Sequence, residues 1–355
     1  MDRTPRILVI RRDNIGDLIC TTPLLHALRL RYPNAYLAVL VSSYNVAVLD
    51  GNPDVDEVFV FIKRQQKQFS LWLTLWKRWV LLYRLRRTRF DYVILANGGW
   101  RYARQIRGQK MIGFRERDNP DHQQPDVIVP LENRGRDAHE VEKLASLGAV
   151  LNVSDATGRT WLFANQERVE EIARQQRERG WRQERPTIAV HISSRQPVQR
   201  WPESAFAGLI QQLVHRFDAQ VFLLWAPGKE DDPMHPGDDG KAARVLDGLR
   251  GLPVFPCPTT SIPELVAVLS LVAQMICSDG GAMHVAAALD KPILCFFGHS
   301  NAIEWHPWHV PYVLLQPETK VVADISPEDA MSGFAELQAK LRVARLPSLR
   351  APVSN

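Results

Sequence analysis

The segment "RRDNIGDLICTTP" (residues 11–23) places two carboxylates, Asp13 and Asp17, on either side of a glycine. The apolar run "RILVI" before it predicts a strand and "LLHALRLRYP" after it predicts a helix, so the acids lie at a strand-to-helix turn. Aspartate there is a favoured helix N-cap, worth about 1 kcal/mol. A carboxylate at the end of a parallel strand can also act as a general base, and the pattern leaves both interpretations open.

A second turn, "SDGGAMH" (residues 278–284), has the residue types of an anion-binding site. A buried strand is predicted to end there, and Asp279, Gly280 and Gly281 lead directly into a helix that contains Ala282 and His284. Glycines let the backbone approach a ligand, and the free N–H groups of a helix start attract phosphate. An ordinary loop and a buried, hydrogen-bonded histidine are the alternatives.

Two further loops follow predicted strands. In "HISSRQPVQRWP", Arg195 and Arg200 could neutralise a diphosphate, since arginine suits bidentate contact with phosphate; solvated loop charge is the alternative. In "LLWAPGKEDD", Lys229 and Glu230 follow a Pro-Gly turn and could contact a ribose or a base. No regular spacing of metal ligands appears, and the D-x-D pattern at residues 54–56 follows Asn-Pro, which favours a turn over a metal site.

The elements that must position these loops alternate between strand and helix along the whole chain. This alternation predicts βαβ units and parallel sheets, with short helices as well, including one near residues 44–50. We therefore predict the α/β class, with a Rossmann-like domain at 1–160 and a second at 161–325. Residues 326–355 are predicted to form a C-terminal helix, which packs back toward the N-terminal domain, and a loose tail. In such sheets ligands bind beyond the carboxyl ends of the strands, where three of these segments fall: residues 11–17, 191–202 and 278–284.

Composition narrows the class of protein. The 355 residues are 45% hydrophobic and 23% charged, which is typical of a soluble globular chain, and the net charge of +5 favours acidic partners. Four well-separated cysteines suggest buried thiols in a reducing compartment. The N-terminus lacks the pattern of a secretory signal and no apolar stretch is long enough to span a bilayer, so a cytoplasmic location is expected. P-loop, G-x-G-x-x-G and G-x-S-x-G motifs are absent from the sequence.

The stretch "FSLWLTLWKRWVLLYRLRRTRF" (residues 69–90) has aromatic residues at helical spacing with basic residues between them. One interpretation is a Rossmann helix with a single buried face. The other is an interfacial helix that touches anionic lipid, or a basic wall for a phosphorylated glycolipid.

Three segments together resemble glycosyltransferase family 9, the ADP-heptose:lipopolysaccharide heptosyltransferases: "ILVIRRDNIGDLICTTPLLHALRLRYP", "HISSRQPVQRWP" and "DGGAMHVAAALDKPILCFFG". The resemblance covers nearly the whole chain in the same order. It implies a GT-B fold, in which two Rossmann-like domains face a central cleft. It also implies inverting transfer from a nucleotide-activated heptose to the lipopolysaccharide inner core, without a metal or other cofactor.

The resemblance also implies roles for single residues. Asp17, after Gly16, matches the proposed catalytic base. Arg200 stands where the family usually has the lysine that contacts the diphosphate, and Gly280 stands where Ser or Thr is common. Together with the loop patterns above, the resemblance gives these predicted donor-binding residues: Arg195, Arg200, Lys229, Glu230, Asp279, Gly280, Gly281, Ala282 and His284. We predict Asp13, Gly16 and Arg101 as acceptor-binding residues, and the alternative role for Asp13 is to orient Arg11 or Arg12.

Expected partners are a nucleotide sugar and an anionic glycolipid acceptor, with peripheral contact to the inner membrane and no nucleic acid. Three alternatives stay open: a transferase of the same fold with another nucleotide sugar or acceptor, a nucleotide-sugar epimerase or hydrolase, and a non-catalytic basic module that binds lipid or nucleic acid.

Overall fold

The computed structural model describes residues 4–62, 71–115, 120–130, 137–231 and 237–345. These residues form two compact units: the first comprises 1–165 together with 301–308, and the second comprises 166–300 together with 309–355. The sequence placed the division after residue 160. The structure extends the first unit through Asn165 and returns a short later segment to it.

The first unit contains a six-stranded parallel sheet in the order β3-β2-β1-β4-β5-β6. Its strands are β1 (Arg6–Ile10), β2 (Tyr36–Ser42), β3 (Glu57–Phe61), β4 (Tyr92–Leu95), β5 (Lys110–Phe114) and β6 (Val127–Val129). Its helices are α1 (Ile15–Arg31), α2 (Leu71–Thr88), α3 (Trp100–Ile106) and α4 (Glu140–Ala149). The helix expected near residues 44–50 is a 3-10 turn at Val46–Leu49, since Asn45 and the following Gly51 bound it closely.

The second unit repeats the plan with the order β12-β11-β10-β7-β8-β9, also parallel. Its strands are β7 (Thr187–His191), β8 (Gln220–Trp225), β9 (Val254–Pro258), β10 (Gln274–Ser278), β11 (Ile293–Phe296) and β12 (Tyr312–Leu315). The helices along this part of the chain are α5 (Gln166–Glu178), α6 (Glu203–Phe217), α7 (Asp239–Asp247), α8 (Ile262–Ser270), α9 (Gly281–Ala288), α10 (Ala302–Trp305) and α11 (Pro327–Arg345). Of these, α10 belongs to the first unit.

Both sheets have the strand order of a doubly wound Rossmann fold. In each, the first strand lies beside the fourth, so the chain winds outward in opposite directions from that pair, β1/β4 or β7/β10. Ligands of such sheets bind at this switch point, beyond the carboxyl ends of the two strands. The predicted α/β class with two Rossmann-like sheets is confirmed.

Helix α11 packs within the second unit, and the expected packing back toward the N-terminal domain stays a prediction. Phe334 and Leu337 are fully buried in the core of that unit, together with Trp201 and Phe296. Each such apolar side chain contributes roughly 2 kcal/mol on burial, which fixes the helix on its own sheet. The predicted loose tail at 346–355 lies outside the described residues.

Candidate active site

The turn after β1 is organised by Arg11, whose side chain is buried. One Nη atom of Arg11 lies 2.8 Å from Asp17 Oδ1 and 2.8 Å from Glu140 Oε1, and Nε lies 3.0 Å from Asp13 Oδ1. The other Nη donates to the carbonyl of Ala96, just past β4. A single cation therefore ties the ends of β1 and β4 to the first turn of α4, at the switch point of the first sheet.

Asp17 is the third residue of α1 rather than its N-cap, which is Asn14. Its Oδ2 accepts a hydrogen bond from the backbone N–H of Asn14 at 3.2 Å, while Oδ1 accepts from Arg11. The carboxylate thus supports the helix start and pairs with a buried guanidinium at the same time. Its side chain is 13% exposed, so it is shielded but still reaches the surface of this unit.

Three carboxylates surround one cation, and burial shifts the pKa of two of them, Asp13 and Glu140. Burial raises the pKa of Asp13 to about 6, with Arg11 opposing the shift and Asp17 adding to it. Burial also raises the pKa of Glu140, again against the pull of Arg11. The cluster therefore holds excess negative charge near neutral pH, which a positively charged ligand or transition state can relieve.

The other predicted acceptor residues of this unit are placed differently. Gly16 is buried inside the first turn of α1. Arg101 lies on α3 after β4 and is exposed. Arg12 is not among the residues predicted to bind the acceptor. Its guanidinium carbon lies 4.8 Å from the centre of the Phe61 ring and 4.7 Å from that of the Tyr102 ring. These residues share the switch-point edge of the sheet without contacting Asp17 in any described hydrogen bond.

In the second unit, the turn between β10 and α9 is open. Gly280 has φ +155° and ψ −178°, a backbone conformation that residues other than glycine rarely adopt. An added Cβ at Gly280 would meet no atom within 4 Å, so the backbone is accessible to a ligand. Gly281 and Ala282 form the first turn of α9, while His284 is buried in that helix.

Asp279 is committed to contacts within its own unit. Its Oδ2 accepts from Gln199 Nε2 at 2.9 Å and from the hydroxyl of Ser300, and Gln199 also donates to Ser300 at 2.8 Å. The carboxylate thereby ties the loop after β7 to the loop after β11. These contacts fix the shape of the two loops beside the β7/β10 switch point.

A neighbouring cavity of about 410 Å³ is lined by two of the predicted donor residues, Arg200 and Glu230. Arg200 lines it and donates from Nε to the carbonyl of Ser194 at 3.0 Å. Arg195 and Lys229 are exposed. Glu230 pairs with Arg244 at 2.7 Å, so its carboxylate is engaged with a cation of its own unit.

The sequence interpretation missed Lys241, which also lines this cavity. Its Nζ is buried, donates to the carbonyl of Ile192 at 2.8 Å and lies 5.0 Å from the centre of the Phe206 ring. Burial lowers the pKa of Lys241 to about 8. A lysine at a core-facing helical position, beside Ala242 and Val245, was the signal that could have identified it.

Glu140 and Arg11 were also missed. Arg11 had a signal, because it directly follows a buried strand and precedes two acids. Glu140 had none, since it is 129 residues from Arg11 along the chain.

Comparison with known proteins places the chain in a family. Residues 78–333 match the family described as glycosyltransferase family 9 (heptosyltransferase). The chain belongs to glycosyltransferase family 9. This glycosyltransferase is 23% identical over 303 residues to lipopolysaccharide heptosyltransferase 3 of Escherichia coli. The aligned region covers 82% of this chain and 83% of the relative.

Solved structures share the fold of this family 9 glycosyltransferase. A glycosyl transferase family 9 protein of Veillonella parvula matches with a TM-score of 0.78 at 19% identity, covering 95% of this chain and 97% of that one. An E. coli heptosyltransferase solved with ADP-2-deoxy-2-fluoro heptose matches with a TM-score of 0.71 at 17% identity, covering 93% and 99%. At these identities the likeness establishes the fold.

Two features are absent from the described residues. Within them, no group of three or more His, Cys, Asp or Glu side chains is arranged to hold a metal ion. Among the helices of those same residues, none has the length and apolar character to cross a membrane.

Proposed function

We propose that this family 9 glycosyltransferase transfers a heptose from ADP-heptose to the lipopolysaccharide inner core, with inversion at the anomeric carbon and Asp17 as general base. Support for the sugar and acceptor comes from the relative named lipopolysaccharide heptosyltransferase 3. Support for the donor comes from the E. coli heptosyltransferase solved with an ADP-heptose analogue.

The observation that carries the base assignment is the position of Asp17 at the switch point of the first sheet, paired with buried Arg11. In the proposed step, the acceptor oxygen attacks the anomeric carbon and its proton passes to the Asp17 carboxylate. The bond from that carbon to the diphosphate breaks, and ADP leaves with the electron pair. Such general-base catalysis contributes about 10²–10⁴-fold in rate.

The cluster around Arg11 suits this role. Arg11 holds one oxygen of Asp17 in place, which lowers its freedom to rotate, while Asp13 and Glu140 offset the positive charge. The surplus negative charge also favours an oxocarbenium-like transition state. Asp13 is proposed to contact the acceptor, with Gly16 and Arg101 on the same sheet edge.

The donor is proposed to bind the second unit at the β7/β10 switch point. The N-terminus of α9 and the open backbone at Gly280 suit a diphosphate, and Arg195 and Arg200 supply positive charge. This fixed charge would stabilise the leaving group, with no step assigned to a metal. Lys229, Glu230 and His284 are retained as donor-side candidates, and Asp279 shapes the loop through Gln199.

The test is transfer by Asp17→Asn, assayed with ADP-heptose and a truncated lipopolysaccharide acceptor. We expect a 10²–10⁴-fold lower rate in a folded variant, because the amide cannot accept the proton. Asp50→Asn, an exposed carboxylate of the same unit, is the control and should keep its rate. A folded Asp17→Asn enzyme with full activity would rule out the base assignment. Donor turnover that does not depend on the acceptor would favour an epimerase or hydrolase instead.

A further inference from the structure

Helix α2 has one buried aliphatic face and one exposed aromatic face. Leu81 and Leu85 are buried against the first sheet, with Leu85 fully inaccessible. On the opposite side, four large aromatic side chains at helical spacing are 52–82% exposed: Trp72, Trp76, Trp79 and Tyr83. Residues at these spacings lie along one stripe of a helix. We call this stripe the aromatic face.

The aromatic face is unusual because water-exposed tryptophan is costly unless something covers it. Single exposed apolar residues need no explanation, but a contiguous patch marks an interaction site. Trp79 and Tyr83 stack on each other at 6.0 Å with their planes 15° apart, so the stripe forms one continuous aromatic surface. Leu75, 49% exposed, extends it on one side.

The charge of α2 indicates what covers it. The helix sequence "LWLTLWKRWVLLYRLRRT" contains five lysines and arginines and no acidic residue. Arg84 and Arg87 are exposed, and Lys77 is half-buried. Arg84 pairs with Glu57 of β3 at 2.6 Å, and the other basic side chains leave the helix with a net positive charge. A surface that is both aromatic and net cationic complements a partner that is both apolar and anionic.

A groove continues the aromatic face toward the edge of the sheet. Because β3 is an edge strand, the gap between it and α2 is open on one side, and it encloses about 240 Å³. Its apolar lining comes from Val58, Val60, Ile62, Trp76 and Val80. Lys77 and Arg84 also line the groove, so it combines an apolar lining with basic side chains.

We propose that the aromatic face of α2 is a membrane-binding surface that inserts into the interface of an anionic bilayer. Tryptophan and tyrosine prefer this depth because their rings are apolar and their N–H and O–H groups stay hydrated. Lysine and arginine reach past the rings to lipid phosphates. A helix with one such face lies in the interface plane and does not cross the bilayer.

The proposal is tested by vesicle co-sedimentation of the full chain. Vesicles of equal parts phosphatidylcholine and phosphatidylglycerol are compared with vesicles of phosphatidylcholine alone. We expect binding to the mixed vesicles at low salt, weaker binding at high salt because exposed charges are screened, and little binding to the neutral vesicles. Brominated lipid in the mixed vesicles should quench part of the tryptophan fluorescence.

Variants locate the binding surface. Trp72→Ala/Trp76→Ala/Trp79→Ala should lose vesicle binding and bromine quenching while it keeps its melting temperature, because these side chains are exposed. Leu30→Ala/Val343→Ala removes two side chains that are 68% and 69% exposed elsewhere, and it should bind like the unaltered chain. Lys77→Gln/Arg87→Gln should weaken binding to anionic vesicles roughly fivefold per charge.

Three outcomes would overturn the proposal. They are no binding of the unaltered chain to anionic vesicles at low salt, equal binding by the triple tryptophan variant, or a dimer in solution that this variant abolishes without any vesicle binding. The last outcome would make the aromatic face a contact between two copies of the chain. The vesicles contain no sugar, so this experiment can fail while the transfer assay succeeds, and the reverse.

Discussion

Arg11 shows how one buried cation organises a site from distant parts of the chain. Its guanidinium meets Asp13, Asp17 and Glu140, and removing any one partner changes the charge felt by the others. A buried ion network of this kind contributes little net stability, because desolvation opposes the attraction. Its value lies in holding the Asp17 carboxylate in one orientation.

The raised pKa of Asp13 predicts a pH-dependent stability. The folded protein binds this proton more tightly than the unfolded chain does, since the pKa rises from 3.8 to about 6. The free energy of unfolding should therefore fall as pH rises from about 4 to about 6. Asp13→Asn should remove this loss and be about 1–3 kcal/mol more stable at neutral pH.

Urea unfolding of both proteins between pH 4 and pH 7 measures the difference. Because Asp13→Asn and the unaltered chain share all other carboxylates, the difference between them reports Asp13 together with its coupling to the carboxylates that share Arg11. Equal slopes against pH would show that Asp13 titrates normally in the folded protein.

Helix α1 contains a proline, Pro23, in its interior. Proline has no N–H, so the carbonyl of Ile19 one turn earlier loses its helical donor. The hydroxyl of Thr22 donates to that carbonyl at 2.7 Å and accepts from the backbone N–H of Trp161 at 2.9 Å. Thr22 therefore repairs the helix and also anchors the last segment of the first unit.

Thr22→Val should be strongly destabilising because it leaves the buried Ile19 carbonyl and the half-buried Trp161 N–H without this partner. We expect a loss of about 2–4 kcal/mol in the free energy of unfolding, measured by urea denaturation. Thr88→Val is the matched control, since its hydroxyl bonds the Arg84 carbonyl near the surface of α2. The control should lose less than about 1 kcal/mol. Similar losses for both would contradict the role assigned to Thr22.

At the scale of the molecule, two Rossmann units each have their own core, and the chain passes between them more than once. The segment 301–308 returns to the first unit, where Glu304 pairs with Lys143 and Trp308 donates to the carbonyl of Gly158 at 3.0 Å. His139 stacks on Trp308 with ring centres 4.3 Å apart. The linear order of the sequence therefore does not map onto two uninterrupted domains.

Separate cores predict two calorimetric transitions, one for each unit. If the donor binds the second unit, ADP at about 100 times its Kd should stabilise that transition by about 2.7 kcal/mol. UDP and GDP should have smaller effects. Thr22→Val should lower only the other transition. An ADP effect on the transition that Thr22→Val lowers would contradict the proposed donor unit.

Sequence alone predicts the α/β class, the two Rossmann-like halves and the four loops that carry the candidate site residues. These are local properties: apolar strand runs, helical periodicity and turn residues lie within a few positions of one another. The family resemblance, confirmed by the comparisons, also depended on short contiguous segments such as residues 11–23. The sequence also singled out α2, whose pattern showed both aromatic and basic residues.

The contacts that the candidate site residues make could be seen only in the folded structure. It paired Arg11 with Glu140, engaged Glu230 with Arg244, and assigned Asp279 to the loop network of Gln199. It also docked α11 on its own sheet and returned 301–308 to the first unit. These outcomes depend on charges and surfaces that meet across long sequence separations, and local periodicity contains no information about which distant side chain fills a given space.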